Sequence, residues 1–167
     1  MGYSSWDEFS LHYFRQIAME GKTPMLMNPA DDTDHYVINS GRATGRVVGG
    51  NLTVLCSIIG SQYLPDWNEK ILFLEDIAEE PQRIDRMLTQ LKLSGLLDQI
   101  SGLVFGKCRK CDAENPERAL TLGQVLENNL KPLNIPVYYG AMFGHIKQKF
   151  TIPIGINAEM DADAGTI

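Results

Sequence analysis

No stretch of this chain reaches the roughly 18 consecutive apolar residues that a membrane-crossing helix needs. Near Met1 no basic region leads into an apolar one, so the sequence shows no secretory signal. Positive charge is short as well: 15 Lys and Arg stand against 21 Asp and Glu, a formal net charge of −6. A nucleic-acid surface gathers its cations on one face. Here they are scattered among acids, as on an ordinary solvated surface. Neither a nucleic acid nor a membrane is expected as a partner. Cysteine is scarce too. Cys56, Cys108 and Cys111 make a poor disulfide framework and suit a reducing compartment. There is no internal repeat and no low-complexity tract.

Two of the cysteines form a C-x-x-C, Cys108-Arg109-Lys110-Cys111, and flanking cations can lower a thiol pKa. A structural zinc site needs a second such pair or added His ligands at set spacing, and no second pair exists. The expectation is therefore two incidental loop cysteines, replaceable without loss of function, with no metal and no cofactor.

What is present is enough apolar residue, in 167 positions, to bury the core of one domain. Residues 1–48 read as an interdomain connector and a strand pair leading into that domain. Trp6, Phe9, Tyr13, Phe14 and Ile17 are spaced for a helix, with Ser5 or Asp7 to cap it and Gly21 to stop it. Val37, Ile38, Val47 and Val48 suggest two short strands around a Gly41–Gly45 turn. The compact domain, 49–167, opens on Gly49-Gly50-Asn51-Leu52. Asn51 is a good N-cap for a helix carrying Leu52, Leu55, Cys56 and Ile59. The two glycines fit an anion-binding lip or a packing turn equally well.

Further on, 70–75 reads as a strand, and Glu79-Glu80-Pro81 opens a long helix. Its apolar face is Ile84, Met87, Leu88, Leu91, Leu93, Leu96 and Leu97. Arg83, Asp85 and Arg86 in its first turns read as surface ion pairs. Ile100–Phe105 is a second buried strand, 107–118 a polar loop, 121–130 an amphipathic helix and 135–141 another strand. Ile152, Ile154, Ile156 and Ala158 alternate with period 2, as in an edge hairpin turning at Asp161–Gly165. Strands alternating with helices before a terminal hairpin give a three-layer α/β domain with a mixed sheet.

Two of these strands end on chemistry. Ile71-Leu72-Phe73-Leu74 delivers Glu75, and the apolar run from Pro136 to Gly144 delivers His145. A carboxylate and an imidazole brought together form the orienting half of a nucleophile–base–acid relay. The nucleophile is not evident. Ser4, in Gly2-Tyr3-Ser4-Ser5, is rejected because no apolar strand precedes it and too little chain separates it from Gly49.

In order, Gly49-Gly50-Asn51-Leu52, Leu72-Phe73-Leu74-Glu75-Asp76, Arg83-Ile84-Asp85-Arg86-Met87-Leu88, Phe143-Gly144-His145 and the Asp161–Thr166 turn resemble the C-terminal domain of the LD-carboxypeptidases, serine peptidase family S66. The likeness runs from about residue 36 to the end. That family includes muramoyltetrapeptide carboxypeptidase and the microcin C immunity peptidases. The resemblance implies a swivelling β/β/α-type fold and a Ser–Glu–His triad. The acid and base map onto Glu75 and His145, and the serine lies in an N-terminal nucleophile domain that is absent here. It also implies cytoplasmic cleavage, during peptidoglycan recycling, of the bond between an L-centre diamino acid and a terminal D-alanine in murein tetrapeptides. The partners implied are the nucleophile domain, the peptide and a second copy in a homodimer, and the segment alone is expected to be inactive. A microcin C-type immunity peptidase and a non-catalytic peptide-binding module of the same fold are the alternatives.

Overall fold

The computed structural model describes residues 6–167. Its centre is a six-stranded mixed sheet in the order β1-β5-β4-β3-β2-β6. The strands are β1 (Tyr36–Asn39), β2 (Arg42–Asn51), β3 (Lys70–Glu75), β4 (Gly102–Gly106), β5 (Val137–Ala141) and β6 (Asn157–Asp161). β2, β3, β4 and β5 run parallel, and β1 and β6 close the two edges antiparallel.

The parallel strands follow one another in space as in sequence. Right-handed crossovers then place every connecting helix on the same face. Those helices are α2 (Leu52–Ser57), α3 (Pro81–Leu93) and α4 (Leu122–Leu130). Their apolar residues, among them Leu52, Ile84, Leu88, Leu91 and Leu126, pack with Val48, Leu72, Leu74, Leu103 and Phe105 of the strands. The alternate residues Val47, Ile71, Phe73, Val104 and Tyr138 face the other way and pack with Phe143, Met160 and Ala162. Side chains alternate across a strand, so one pattern of near-continuous apolar residues serves both layers. Phe150, Met142 and Leu26 extend this second layer toward α1 (Glu8–Phe14).

Local chemistry explains the element ends. Asp7 caps α1 and Asn51 caps α2, accepting from the amides of Ser10 and Val54 respectively. Pro81 begins α3 and a Thr121–Gln124 capping box begins α4. α1 continues through Arg15–Met19 as a π-helix before Gly21. Among the described residues no helix is long and apolar enough to cross a membrane.

The α/β class and mixed sheet agree with the sequence reading, but several details do not. The boundary expected at residue 48 falls inside β2, which pairs with β3 from Arg46 to Asn51. The first strands are thus part of the sheet rather than a lead into it. They do not pair with each other: β1 lies at one edge, and β2 sits between β3 and β6. The expected hairpin is a single strand, β6. Pro153 and Gly155 (φ +87) interrupt the isoleucine alternation, and Ile154 and Ile156 are exposed. The turn after β6 does form, with Asp161 Oδ1 accepting from the amides of Asp163 and Ala164. Leu93 is exposed at the end of α3, while Leu96 and Leu97 are buried beyond it, after Gly95 turns the chain. Ser4 and Ser5 lie outside the described residues.

Candidate active site

The four parallel strands all end on one rim of the sheet, where open α/β folds build their sites. β2 ends at Asn51, opposite Glu75 at the end of β3. β4 ends at Gly106, and β5 runs into the loop that carries His145.

β5 and β3 are not neighbours, because β4 lies between them. The His145 loop must therefore cross the end of β4, and two glycines allow it. A Cβ at Gly106 would lie 2.8 Å from both the ring and the carbonyl oxygen of Phe143. With that position bare, Phe143 passes over β4 and packs its ring on Phe73, the centroids 5.2 Å apart. Gly144 comes next, at φ +105, and a Cβ there would stand 2.7 Å from Glu75 Oε2. The backbone thus lies directly against the carboxylate. One residue later His145 Nδ1 meets Glu75 Oε2 at 2.8 Å.

Glu75 is buried and His145 is about half exposed, with side-chain accessibilities of 10% and 53%. The structure therefore brings together the two residues singled out from the sequence, across 70 positions of chain. A carboxylate accepts, so the ring proton sits on Nδ1 and the Nε2 lone pair is left for another group. Among the described residues none bonds to Nε2.

Glu75 is held from its other side. Asn51 Nδ2 donates to Glu75 Oε1 at 3.2 Å and to Asp76 Oδ1 at 3.0 Å. The orientation of that amide is fixed by its cap, since Asn51 Oδ1 accepts from the Val54 amide. Asp76 is almost wholly buried and fully used. It accepts from the amides of Ile77 and Thr53 and from the Thr53 hydroxyl. A chain of bonds thus runs Asp76–Asn51–Glu75–His145, anchored at the start of α2. The sequence reading gave Asn51 only a capping role and Asp76 none; an acid directly after a strand-tip acid, next to a helix start, was the available signal. At Gly49 a Cβ would lie 1.9 Å from the Phe73 carbonyl oxygen, so this glycine answers to strand packing.

Elsewhere, Asp85 accepts from Asn129 Nδ2 at 2.8 Å and so ties α3 to α4. Arg83 pairs with Glu79 at 3.5 Å. Beside the rim, Lys107 reaches Asp32 and Asp34 at 2.6 and 3.1 Å. Burial pushes the Asp32 carboxyl up, but the Lys107 bond, the Asp34 amide and the ammonium charge outweigh it and leave the carboxyl below its ordinary range. The cysteines correct one part of the sequence reading, that the pair is incidental: Cys108 and Cys111 are joined in a disulfide, with Cα atoms 5.7 Å apart. Spacing alone could not show it, because a C-x-x-C loop bonds only if its backbone turns tightly. Lys110 does so, at φ +59. Cys56 is free, and burial raises its thiol to about 11.

Comparison with known proteins supplies the context. Residues 44–160 match the profile of the LD-carboxypeptidase C-terminal domain. A Bacillus subtilis protein that carries the name murein peptide carboxypeptidase is 40% identical over 121 residues, 72% of this chain and 38% of that protein. The microcin C7 self-immunity protein MccF of Escherichia coli is 35% identical over 125 residues, 74% of this chain and 36% of that protein. The crystal structure of muramoyltetrapeptide carboxypeptidase from Oxalobacter formigenes superimposes with a TM-score of 0.78 at 32% identity, covering 96% of this chain and 53% of that one. The chain therefore spans about half or less of the length of these relatives.

Proposed function

We propose, from the premise that the chain belongs to the LD-carboxypeptidase C-terminal domain family, that it supplies the base and the acid of a serine-type carboxypeptidase. The nucleophilic hydroxyl comes from a separate nucleophile domain, and these residues alone do not turn over substrate. One observation carries the reading: a half-exposed imidazole is bound through Nδ1 to a buried carboxylate, at 2.8 Å.

With Nδ1–H committed to Glu75, Nε2 takes the serine proton as the hydroxyl attacks the peptide carbonyl. The imidazolium that forms is stabilised by the Glu75 side chain, whose second oxygen Asn51 holds in place. When the tetrahedral intermediate collapses, the C–N bond breaks and Nε2–H protonates the leaving amine. Water then repeats the sequence on the acyl-enzyme, with Nε2 again as base. The substrate we assign is a murein tetrapeptide, cut between its L-centre diamino acid and terminal D-alanine during recycling in the cytoplasm, by a homodimer. The murein peptide carboxypeptidase relative supports that choice. The similarity to MccF supports a second reading, a peptide–nucleotide antibiotic as substrate.

The test uses the intact protein with an L-lysyl- or diaminopimelyl-D-alanine peptide and, in parallel, a peptidyl nucleotide. D-alanine release that His145→Ala reduces by about 10²-fold or more supports the first reading. Cleavage of the nucleotide conjugate alone favours the second. D-alanine release at the wild-type rate by His145→Ala would overturn the assignment of the base.

A further inference from the structure

We propose that Cys108 and Cys111 form a reversible thiol–disulfide site whose redox state controls the segment immediately following Glu75. The site stands apart from the hydrolytic reading and needs none of it.

The ring closed by Cys108 and Cys111 is bonded into the rim of the sheet. Between the two cysteines, the Arg109 carbonyl accepts from the Ala78 amide at 2.9 Å, and Arg109 bridges Ile77 in parallel. Ile77 follows Asp76, and the Ile77 amide bonds the Asp76 carboxylate. The path from disulfide to Glu75 is thus one hydrogen bond and three residues of chain. The near side of the ring is held separately: Lys107 N bonds the Ala141 carbonyl, and Cys108 N bonds the Tyr139 hydroxyl. Lys107 also pairs with Asp32 and Asp34. Opening the disulfide therefore loosens Arg109 and Lys110, while the β4 end stays fixed and Cys111 stays packed in the core. Lys110 in that stretch holds a left-handed conformation, which a non-glycine residue keeps only under constraint.

Access and chemistry fit exchange. Cys108 is partly exposed and Cys111 is buried, so an incoming thiolate attacks the sulfur of Cys108. The Cys108–Cys111 bond breaks, Cys111 leaves as thiolate and takes a proton, and a mixed disulfide remains on Cys108. A second thiol of the reductant displaces Cys108, which is also protonated. Two electrons and two protons pass to the protein, and a dithiol becomes its own disulfide. Arg109 and Lys110 separate the two cysteines in sequence; neighbouring cations favour a thiolate, and the burial of Cys111 opposes it. Cys56 is removed from competition by its burial and its raised thiol.

The experiment uses the chain itself, equilibrated with oxidised and reduced glutathione at stepped ratios and with excess dithiothreitol. Alkylation and mass measurement count the thiols, and hydrogen exchange reads the Ala78 amide. Closing a ring this small restricts the open loop by roughly 20-fold. Reduction should add two alkylatable thiols and speed Ala78 exchange by at least about 3-fold. Cys108→Ser/Cys111→Ser should exchange at the reduced rate whether or not dithiothreitol is present. Three outcomes overturn the proposal: thiols that stay reduced in oxidised glutathione, a disulfide that survives excess dithiothreitol, or Ala78 exchange that changes by less than about 3-fold on reduction. If the double variant fails to fold, the titration of the unaltered chain decides alone.

Discussion

Replacing Gly144 by alanine is the most direct challenge to the geometry around Glu75. The new Cβ would stand 2.7 Å from Glu75 Oε2 and 3.0 Å from Glu75 Cβ. Glu75 cannot simply swing away, because Asn51 holds its other oxygen and its side chain is buried. Two costs follow. A non-glycine residue at φ +105 is strained by about 1–3 kcal/mol. Overpacking against a held side chain adds about 1–3 kcal/mol. Together, about 2–6 kcal/mol, they are a large part of the roughly 5–15 kcal/mol by which a domain is stable. At this chain length that corresponds to a melting point lowered by roughly 4–24 °C.

Gly60→Ala is the control. Gly60 also has positive φ, +82, but a Cβ there meets nothing within 4 Å, so this variant carries the backbone strain without the collision. Urea titration followed by the fluorescence of the fully buried Trp67 measures both. Gly144→Ala should cost at least about 1 kcal/mol more than Gly60→Ala, and the His145 Nδ1 proton signal should lose its hydrogen-bonded shift. Equal costs, with that signal intact, would refute the account of how the loop lies on Glu75.

Asp76→Ala should destabilise by about 3 kcal/mol in urea titration, since it strands the Thr53 and Ile77 amides and the Thr53 hydroxyl; a loss under about 1 kcal/mol would contradict its anchoring role. On the proposed function, Glu75→Gln in the intact protein should lower kcat severely but less than His145→Ala. A glutamine can accept from Nδ1–H but then turns its NH₂ toward the Asn51 NH₂, so only one contact survives. His145→Ala should leave the chain's stability within about 1 kcal/mol, as expected for a half-exposed side chain, checked by the same titration. For pH, the Asp32 carboxyl lies below its ordinary value in the folded chain. Its contribution is therefore complete above the unfolded value, about 3.9, and is lost as pH falls through the lower, folded one. Asp32→Asn should flatten the stability profile on that acid limb, read from urea midpoints between pH 5 and the onset of acid unfolding.

Much of the sheet was legible because parallel strands covered on both faces read as continuous apolar runs. Ile71–Leu74 and Leu103–Phe105 are such runs, and both are buried. Glu75 and His145 stood out because each ends one. The misreadings have a common cause: sequence periodicity reports apolar faces, not pairing partners. Val37–Ile38 and Val47–Val48 look like neighbours across a turn, yet β1 answers to β5 and β2 to β3. The isoleucines at 152, 154 and 156 keep the alternation of a strand, while Pro153 and Gly155 deny it the ladder. The bond network behind Glu75 was hidden for a different reason. Asn51 and Asp76 are ordinary capping and turn residues by type, and only the register Asn51↔Glu75 brings one amide to both the Glu75 and the Asp76 carboxylates.

That register explains why Glu75 comes from β3 and His145 from the loop after β5 rather than from adjacent strands. Neighbouring parallel strands put their tips about 5 Å apart, too close for a carboxylate and an imidazole that each need a separate support. Skipping β4 opens room between them, and the bare Gly106 lets the His145 loop span it. The carboxylate is then gripped from the β2 side by Asn51 and the ring approaches from the β5 side. Each side chain has its own support, and besides the 2.8 Å bond between them the His145 loop touches β3 at Gly144 and Phe143. A bulky residue at position 106 should therefore displace His145 without unseating Glu75. In Gly106→Val, whose branches would run into Phe143, the Glu75–Asn51 contact should persist while the His145 Nδ1 bond is lost. Side-chain NMR of Asn51 and His145 in one sample separates the two. Simultaneous loss of both would show that the acid and base are not independently supported.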